Sequence, residues 1–291
     1  MVKFTFMTTT KTSITAVIKN FLRNGKTENC ANSLINTYPG IKIVIVDDSY
    51  PKYREEIKPF YKKLEDNGHK VIYTPFDMGV SLGRNIGIEN LNNEYILIGD
   101  NDFVYKHNSG VERMASVLDS RKNVDIVCGG IIEDYVVHGE IVKHNKEMHY
   151  EGFVERELDE HKTPYIKYTS LDLERCNWER VDDDILITPI DLGFNYFLMR
   201  TNAYPRISWT PEIKVSLEHT DGMLRAKQNG LKMVYLKDAF VLNDIREDGA
   251  HKDYAKFRNR FVGWDIFCKN WDVEYGIDFH GHRGDYTTYG H

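Results

Sequence analysis

The chain has 291 residues, with 44 acidic side chains against 38 basic ones and a formal net charge of −6. That balance argues against a general nucleic-acid binder, which carries a basic excess or patch, and no apolar run reaches the ~18 residues that would encode a transmembrane helix. The length suits one large domain or a domain with an appended lobe, and four scattered cysteines without Cys-x-x-Cys spacing point to reduced buried thiols and not to structural zinc.

In chain order, Phe4 to Met7 predicts a first strand. Met1-Val2-Lys3 runs directly into it without a signal-peptide pattern, so the expectation is a cytoplasmic protein, or a truncated or membrane-associated form of one. Thr8 to Ser13 reads as the loop and cap of a helix whose apolar face carries Ile14, Val17, Ile18, Phe21 and Leu22, with Gly25 as its stop. Ile41 to Val46 is apolar except for Lys42 and rich in β-branched residues, which predicts a strand covered on both faces, followed at once by Asp47-Asp48-Ser49. Tyr53, Ile57, Tyr61 and Leu64 keep helical spacing as far as Gly68, with Pro59 able to kink or split that helix. A strand over Lys70 to Tyr73, a helix over Leu82 to Leu91 and a hydrophobic strand Tyr95 to Ile98 complete an alternation that predicts an α/β fold, doubly wound around a mostly parallel sheet.

The stretch from Ile132 to Asp184 is irregular and charged and suits antiparallel strands and a variable loop; Asp182-Asp183-Asp184 reads as a solvated turn. A helix is expected from Glu218 to Gly230. Beyond it Tyr254, Phe257, Phe261, Trp264, Phe267, Trp271 and Tyr275 have the spacing of core packing in places.

Three groups of residues carry chemistry. Asp100 and Asp102 flank Asn101 where the strand Tyr95 to Ile98 ends, and open α/β sheets bind ligands at such carboxyl ends. Two carboxylates there offer the hard oxygens that suit Mg²⁺ or Mn²⁺, an ion held by one or two carboxylates plus substrate phosphates; an ordinary turn is the alternative. Arg84, in Gly83-Arg84-Asn85, has the planar fork that suits phosphate oxygens, or else forms a surface ion pair. Glu218 and Asp221 are three residues apart, hence on one helical face, where they could act on a substrate or simply complement the helix dipole.

Taken together, the Thr-rich loop, Val46-Asp47-Asp48-Ser49, Gly83-Arg84-Asn85-Ile86-Gly87, Asp100-Asn101-Asp102 and Glu218-His219-Thr220-Asp221 resemble the GT-A glycosyltransferases, particularly family 2-like enzymes. Gly83-Arg84-Asn85, the Asp-Asn-Asp-Phe segment and Asn195 to Thr201 look like the core of the β1,4-N-acetylgalactosaminyltransferases, over roughly residues 2 to 244. The resemblance implies a Rossmann-like doubly wound sheet with a small antiparallel acceptor-side sheet. It also implies metal-dependent, inverting transfer of a sugar from a UDP-sugar to a carbohydrate or glycoconjugate hydroxyl, with no nucleic acid and no integral membrane segment involved.

In site terms the resemblance implies Thr8 or Thr9 at the base, Asp48 accepting from the uracil imide, Arg84 at the diphosphate or base region, and Asp100 at the ribose or donor sugar, directly or through the metal shell. Asp102 would hold Mn²⁺ or Mg²⁺. A histidine often supplies a third ligand in this fold; here Asn243 stands in that place, with Asp244 or His251 as substitutes. Asp221 is the expected general base, with Glu218 orienting the acceptor hydroxyl and His219 as a further option. The expected organisation is a catalytic domain over 1–245, with a nucleotide-binding half at 1–105 and an acceptor-side half at 106–245, followed by an aromatic-rich extension at 246–291. A nucleotidyltransferase and a catalytically silent sugar- or nucleotide-binding module are the alternatives.

Overall fold

A computed structural model describes residues 13–137, 140–148, 152–244, 251–258, 262–278, 281 and 283–284. The expected strand at Phe4 to Met7, together with Thr8 and Thr9, lies outside the described residues. From Ile14 the chain alternates β1 (Ile14–Asn20), α1 (Asn24–Thr37), β2 (Lys42–Asp47), α2 (Pro51–Asp66), β3 (Lys70–Tyr73), α3 (Val80–Ile88) and β4 (Tyr95–Gly99). There follow β5 (Phe103–Val104), α4 (Val111–Ser120), β6 (Ile126–Val137), β7 (Glu140–Met148), β8 (Gly152–Leu158), β9 (Pro164–Ser170), β10 (Glu179–Asp182), β11 (Ile185–Ile190) and β12 (Phe197–Arg200). The last part holds α5 (Tyr204–Ile207), α6 (Glu218–Gln228), β13 (Met233–Asn243), α7 (His251–Arg258), α8 (Val262–Trp271), β14 (Tyr275–Ile277) and β15 (Arg283–Gly284).

The helix expected over Ile14 to Leu22 is instead the strand β1, and the helix comes after it. The i, i+3, i+4 spacing there arises because nearly every position is apolar, a run whose type periodicity alone does not decide. What decides it is two-sided burial: Ala16 and Ile18 join one core cluster and Val17 the other, an alternation only a strand produces. β-branched Ile14, Thr15, Val17 and Ile18 suit that conformation. Helix α1 then buries Thr27, Cys30, Ala31 and Leu34, one stripe at helical spacing. Pro59 does not split the second helix, since α2 runs unbroken through it with Pro51 in its first turn.

The main sheet has the order β10-β11-β13-β6-β12-β4-β1-β2-β3. β4, β1, β2 and β3 are mutually parallel, β12 runs antiparallel between β4 and β6, and β13 is parallel to β6. Ile43 and Ile45 face one core cluster and Val44 and Val46 the other, as do Leu97 against Ile96 and Ile98. Each such fully buried side chain contributes roughly 1.5–3 kcal/mol, which is why the strands read as continuous apolar runs. A smaller mixed sheet, β15-β14-β9-β8, flanks the main one, so residues near 275–284 are woven into strands from 152–170. Asp182, Asp183 and Asp184 are exposed at the β10–β11 turn.

Among the described residues no helix is long and apolar enough to cross a membrane. The four cysteines are free thiols.

Helix α3 packs on β1 and β2 through Gly87, where an added Cβ would stand 2.5 Å from Val17 Cγ1 and 3.0 Å from Val46 Cγ2. Gly87→Ala should therefore destabilise the fold by about 1–2 kcal/mol despite alanine's better helix propensity. A fall in the urea midpoint at unchanged slope is the expected readout.

Candidate active site

The parallel strands end together on one edge, and the polar residues there are tied to one another before any ligand is considered. Asn20, fully buried at the end of β1, donates from Nδ2 to Asp47 Oδ2 at 3.0 Å and accepts at Oδ1 from Thr27 Oγ1 at 2.8 Å. Asp47 also accepts from the Tyr61 hydroxyl at 2.7 Å and the Ser49 amide at 2.7 Å. Asp47 is thus a buried clamp joining β1, β2 and α2.

Its neighbour Asp48 is ion-paired with Lys19 and accepts from the Gly79 amide at 3.0 Å. Burial pushes the Asp48 carboxyl above its ordinary range, with the Lys19 ammonium opposing it, and pushes Lys19 below its own, with Asp48 opposing.

The acidic triplet follows β4. Asn101 turns inward and donates to Thr27 Oγ1 at 2.9 Å, which pins the segment to α1. Asp102 pairs with Arg23 (Nη1 to Oδ2, 2.9 Å), and its carbonyl accepts from the Asp244 amide at 2.8 Å. Asp100 accepts from Arg84 Nη2 at 2.7 Å on one oxygen and from Asn195 Nδ2 at 3.2 Å on the other. The Asp100 side chain is 38% open to solvent, yet it lies deep enough that burial is the largest influence on it. Burial, aided by the nearby Asp102 and Glu218 carboxylates and opposed by Arg84, raises its pKa to about 6.

Gly83-Arg84-Asn85 explains itself residue by residue. A Cβ on Gly83 would strike the Lys19 stem at 2.4 Å. Asn85 makes a two-way bond with the backbone of Trp209, Nδ2 to its carbonyl at 2.8 Å and Oδ1 from its amide at 3.1 Å. Arg84 is 1% exposed; it donates to Asn195 Oδ1 at 3.1 Å, lies 3.7 Å from Glu218 Oε1 and stands over the Trp209 ring at 5.5 Å. The Arg84 guanidinium, expected at a diphosphate or base, is inside the protein and holds Asp100.

Glu218 and Asp221 share the first turn of α6 but do different things. Glu218 is 6% exposed; its Oε1 accepts from Asn195 Nδ2 at 3.4 Å, and its Oε2 is buried without a hydrogen-bond partner among the described residues. His219 Nδ1 lies 4.0 Å from Glu218 Oε1, and burial pushes this imidazole below its ordinary pKa.

Asp221 is fully buried away from that cluster. Oδ1 accepts from Trp271 Nε1 at 3.0 Å, and Oδ2 accepts from the Thr210 amide at 3.0 Å and from Arg225 Nε at 3.2 Å. Asp221, the expected general base, thus has both oxygens occupied in joining α6 to α8 and to the Trp209–Thr210 segment.

Asp100 and Asp102 fit a hard divalent cation. They are two oxygen donors, and the nearby Asp102 carboxylate raises the cost of ionising Asp100, which a cation relieves. Asn243 is brought beside them, paired across β13 and β5 with Phe103. Asp244 is engaged by Lys26 at 3.0 Å. His251 opens α7, and its side chain lies outside the described residues. Among the described residues no group of three or more His, Cys, Asp or Glu side chains stands together as a metal site.

The expected base loop, Thr8 and Thr9, lies outside the described residues; the strand end that borders Asp48 belongs to β1, at Asn20 to Arg23. Lys19, Asn20 and Arg23 were hidden from the sequence because their segment reads as a helix. Asn195 was visible only as the first residue of the Asn195 to Thr201 likeness.

The family model described as Glycosyl transferase family 2 matches residues 15–176. Beta-1,4 N-acetylgalactosaminyltransferase 1 of Rattus norvegicus is 31% identical over 120 residues, 41% of this chain and 21% of its own length. Beta-1,4 N-acetylgalactosaminyltransferase 2 of Mus musculus is 30% identical over 120 residues, 40% of this chain and 21% of its own. The chain thus spans 21% of the length of these curated relatives. Among solved structures, S. aureus TarS 1–349 in complex with UDP superposes with a TM-score of 0.51 at 15% identity, over 90% of this chain and 72% of that one. GalNAc-T7 with UDP, GalNAc and Mn²⁺ superposes with a TM-score of 0.57 at 14% identity, over 87% and 50%. These likenesses show the GT-A fold.

Asp221→Ala would leave the Trp271 indole and the Arg225 guanidinium facing an emptied buried site. It should cost roughly 3 kcal/mol in urea unfolding, and a loss below about 0.5 kcal/mol would remove Asp221 from the packing role.

Proposed function

The chain belongs to glycosyl transferase family 2, and from that premise we propose that it moves a sugar from a UDP-sugar to an acceptor hydroxyl, with inversion and with the help of a divalent cation. The observation that carries this reading is the Asp100, Arg84, Asn195 and Glu218 cluster at the carboxyl end of the central strand β4, with Asp102 just beyond it. That is where an open parallel sheet presents its ligands.

Asp102 and Asp100 are the residues that would hold Mn²⁺ or Mg²⁺, which when bound supplies Lewis-acid stabilisation of the charge on a departing diphosphate. Arg84 does its work from behind the site: it fixes the Asp100 carboxylate in place and favours its ionised form against burial. Asn195 bridges Asp100 and Glu218 through one amide, which holds the donor-side and acceptor-side acids in a single frame.

Among the described residues Glu218 Oε2 is the buried acid oxygen with unfilled acceptor capacity. A buried polar atom of this kind normally has a partner, and an acceptor hydroxyl would satisfy it. Glu218 is therefore the base in this reading, taking the hydroxyl proton as the oxygen attacks, and Asp221 positions the helix that carries it. In this reading Asp48, held by Lys19 and Gly79, accepts from the nucleobase. The likeness to the β-1,4 N-acetylgalactosaminyltransferases makes UDP-GalNAc the first donor to try. The domain division at residues 105 and 245 follows from the same reading.

Calorimetric titration with UDP, with and without Mn²⁺, should show metal-dependent binding that Asp102→Ala abolishes. Unchanged binding in that variant would remove Asp102 from the metal site.

Glu218→Gln should lower the transfer rate by about 10²-fold or more while changing UDP affinity by less than about twofold. Near-normal transfer would remove Glu218 from the base role and point to Asp221 or His219.

Only ionised Asp100 can ligate a cation, and its raised pKa places the change near pH 6. Mn²⁺-dependent UDP affinity should consequently fall as pH drops through about 6, and Asp100→Asn should flatten that dependence.

A further inference from the structure

Three aromatic side chains stand just past the carboxyl ends of three adjacent parallel strands: Phe21 after β1, Tyr50 after β2 and Phe76 after β3. This is the nucleotide end of the sheet in the reading above, on which the following inference rests. Tyr50 and Phe76 are stacked with centroids 3.7 Å apart, and both are partly exposed, at 41% and 37%. Phe21 and Phe76 lie 5.6 Å apart. Rings in this position suit a planar heteroaromatic base, but another ring already packs against them. Phe257, from α7, meets Phe21 edge-on at 5.2 Å and 87°, Phe76 at 5.4 Å and 82°, and Tyr50 at 6.4 Å and 69°. A base sandwiched between two rings needs centroids ~7 Å apart, two van der Waals layers, and none of these pairs is that open.

The same helix reaches the other end of the proposed donor. Tyr254 precedes Phe257 by three residues, so both lie on one face of α7. The Tyr254 ring carries the Arg23 guanidinium at 4.8 Å, and Arg23 in turn lies 2.9 Å from Asp102. Asp253 anchors the helix by accepting from the Tyr53 hydroxyl at 3.0 Å. One helical turn therefore supplies an aromatic ring at the base end and steadies a positive charge at the acidic end.

We infer that α7 is an autoinhibitory element that occupies the donor site of the donor-free chain: Phe257 takes the place of the nucleobase, and Arg23, held by Tyr254, takes the place of the cation at Asp102. Donor and cation must displace these contacts together, which couples the two binding events through a single helix.

The test compares wild type and Phe257→Ala by calorimetric titration with UDP in the presence of Mn²⁺. Hydrogen exchange of the 251–258 amides of the wild type is followed on the same additions. Removal of the competing ring should tighten UDP binding by roughly tenfold, Phe257→Leu should fall between the two, and the α7 amides should exchange faster once UDP and Mn²⁺ are bound. Tyr254→Ala should lower the Mn²⁺ concentration needed for half-maximal UDP binding.

Wild-type binding that Phe257→Ala leaves equal or weakens, or α7 amides that slow on UDP addition, would make Phe257 a wall of the site and overturn the inference alone. Absence of UDP binding in every protein would overturn the UDP-donor reading and this inference with it.

Discussion

A guanidinium cannot be left in a protein interior without compensating acids, because the desolvation it suffers exceeds what packing returns. Arg84 is such a group, and the parts of the site are arranged around its neutralisation. It projects from α3, meets Asp100 past the end of β4, Asn195 in the segment before β12 and Glu218 at the start of α6, and covers the Trp209 ring. Four separate stretches of chain converge because one charge has to be satisfied. The flanking residues keep it there: Gly83 admits the Lys19 stem, Asn85 holds Trp209 by its backbone, and Gly87 lets α3 sit close against β1 and β2.

The acids along the sheet edge follow the same logic with different partners. Asp48 has Lys19, Asp102 has Arg23, Asp244 has Lys26 and Asp100 has Arg84. Each carboxylate faces a cation from another element, so the edge holds concentrated negative charge without paying its full repulsion. Of these pairs, the one at Asp102 is held by a side chain that also leans on α7.

Much of this arrangement was legible in the sequence, for physical reasons that differ from residue to residue. The strands Ile41 to Val46 and Tyr95 to Ile98 announce themselves because both faces are buried, and the acids that follow must then leave the sheet at its edge. The segment from Ile14 to Asn20 obeys the same rule, but its dense apolar composition also satisfies helical spacing, and the misreading carried Lys19, Asn20 and Arg23 with it. For Glu218 and Asp221 the sequence gives a shared helical turn and nothing about which carboxylate turns toward Trp271. That choice is made by α8, about fifty residues further along the chain, and no local pattern carries it. Arg84 likewise reads as an exposed phosphate ligand until Asn195 and Glu218, both remote in sequence, close over it.

The spacing of those partners along the chain has a kinetic meaning. Arg84 and Asp100 are 16 residues apart, joined through α3 and β4, so that pair can form during early, local folding. Asn195 is 111 residues from Arg84 and arrives only when β12 inserts antiparallel between β4 and β6. Contacts of such long sequence separation form late, because the loop entropy they cost is repaid only after closure. During synthesis the first parallel strands can therefore take shape with Arg84 held by Asp100 alone, and the insertion of β12 is the step that brings the Asn195 amide onto both side chains.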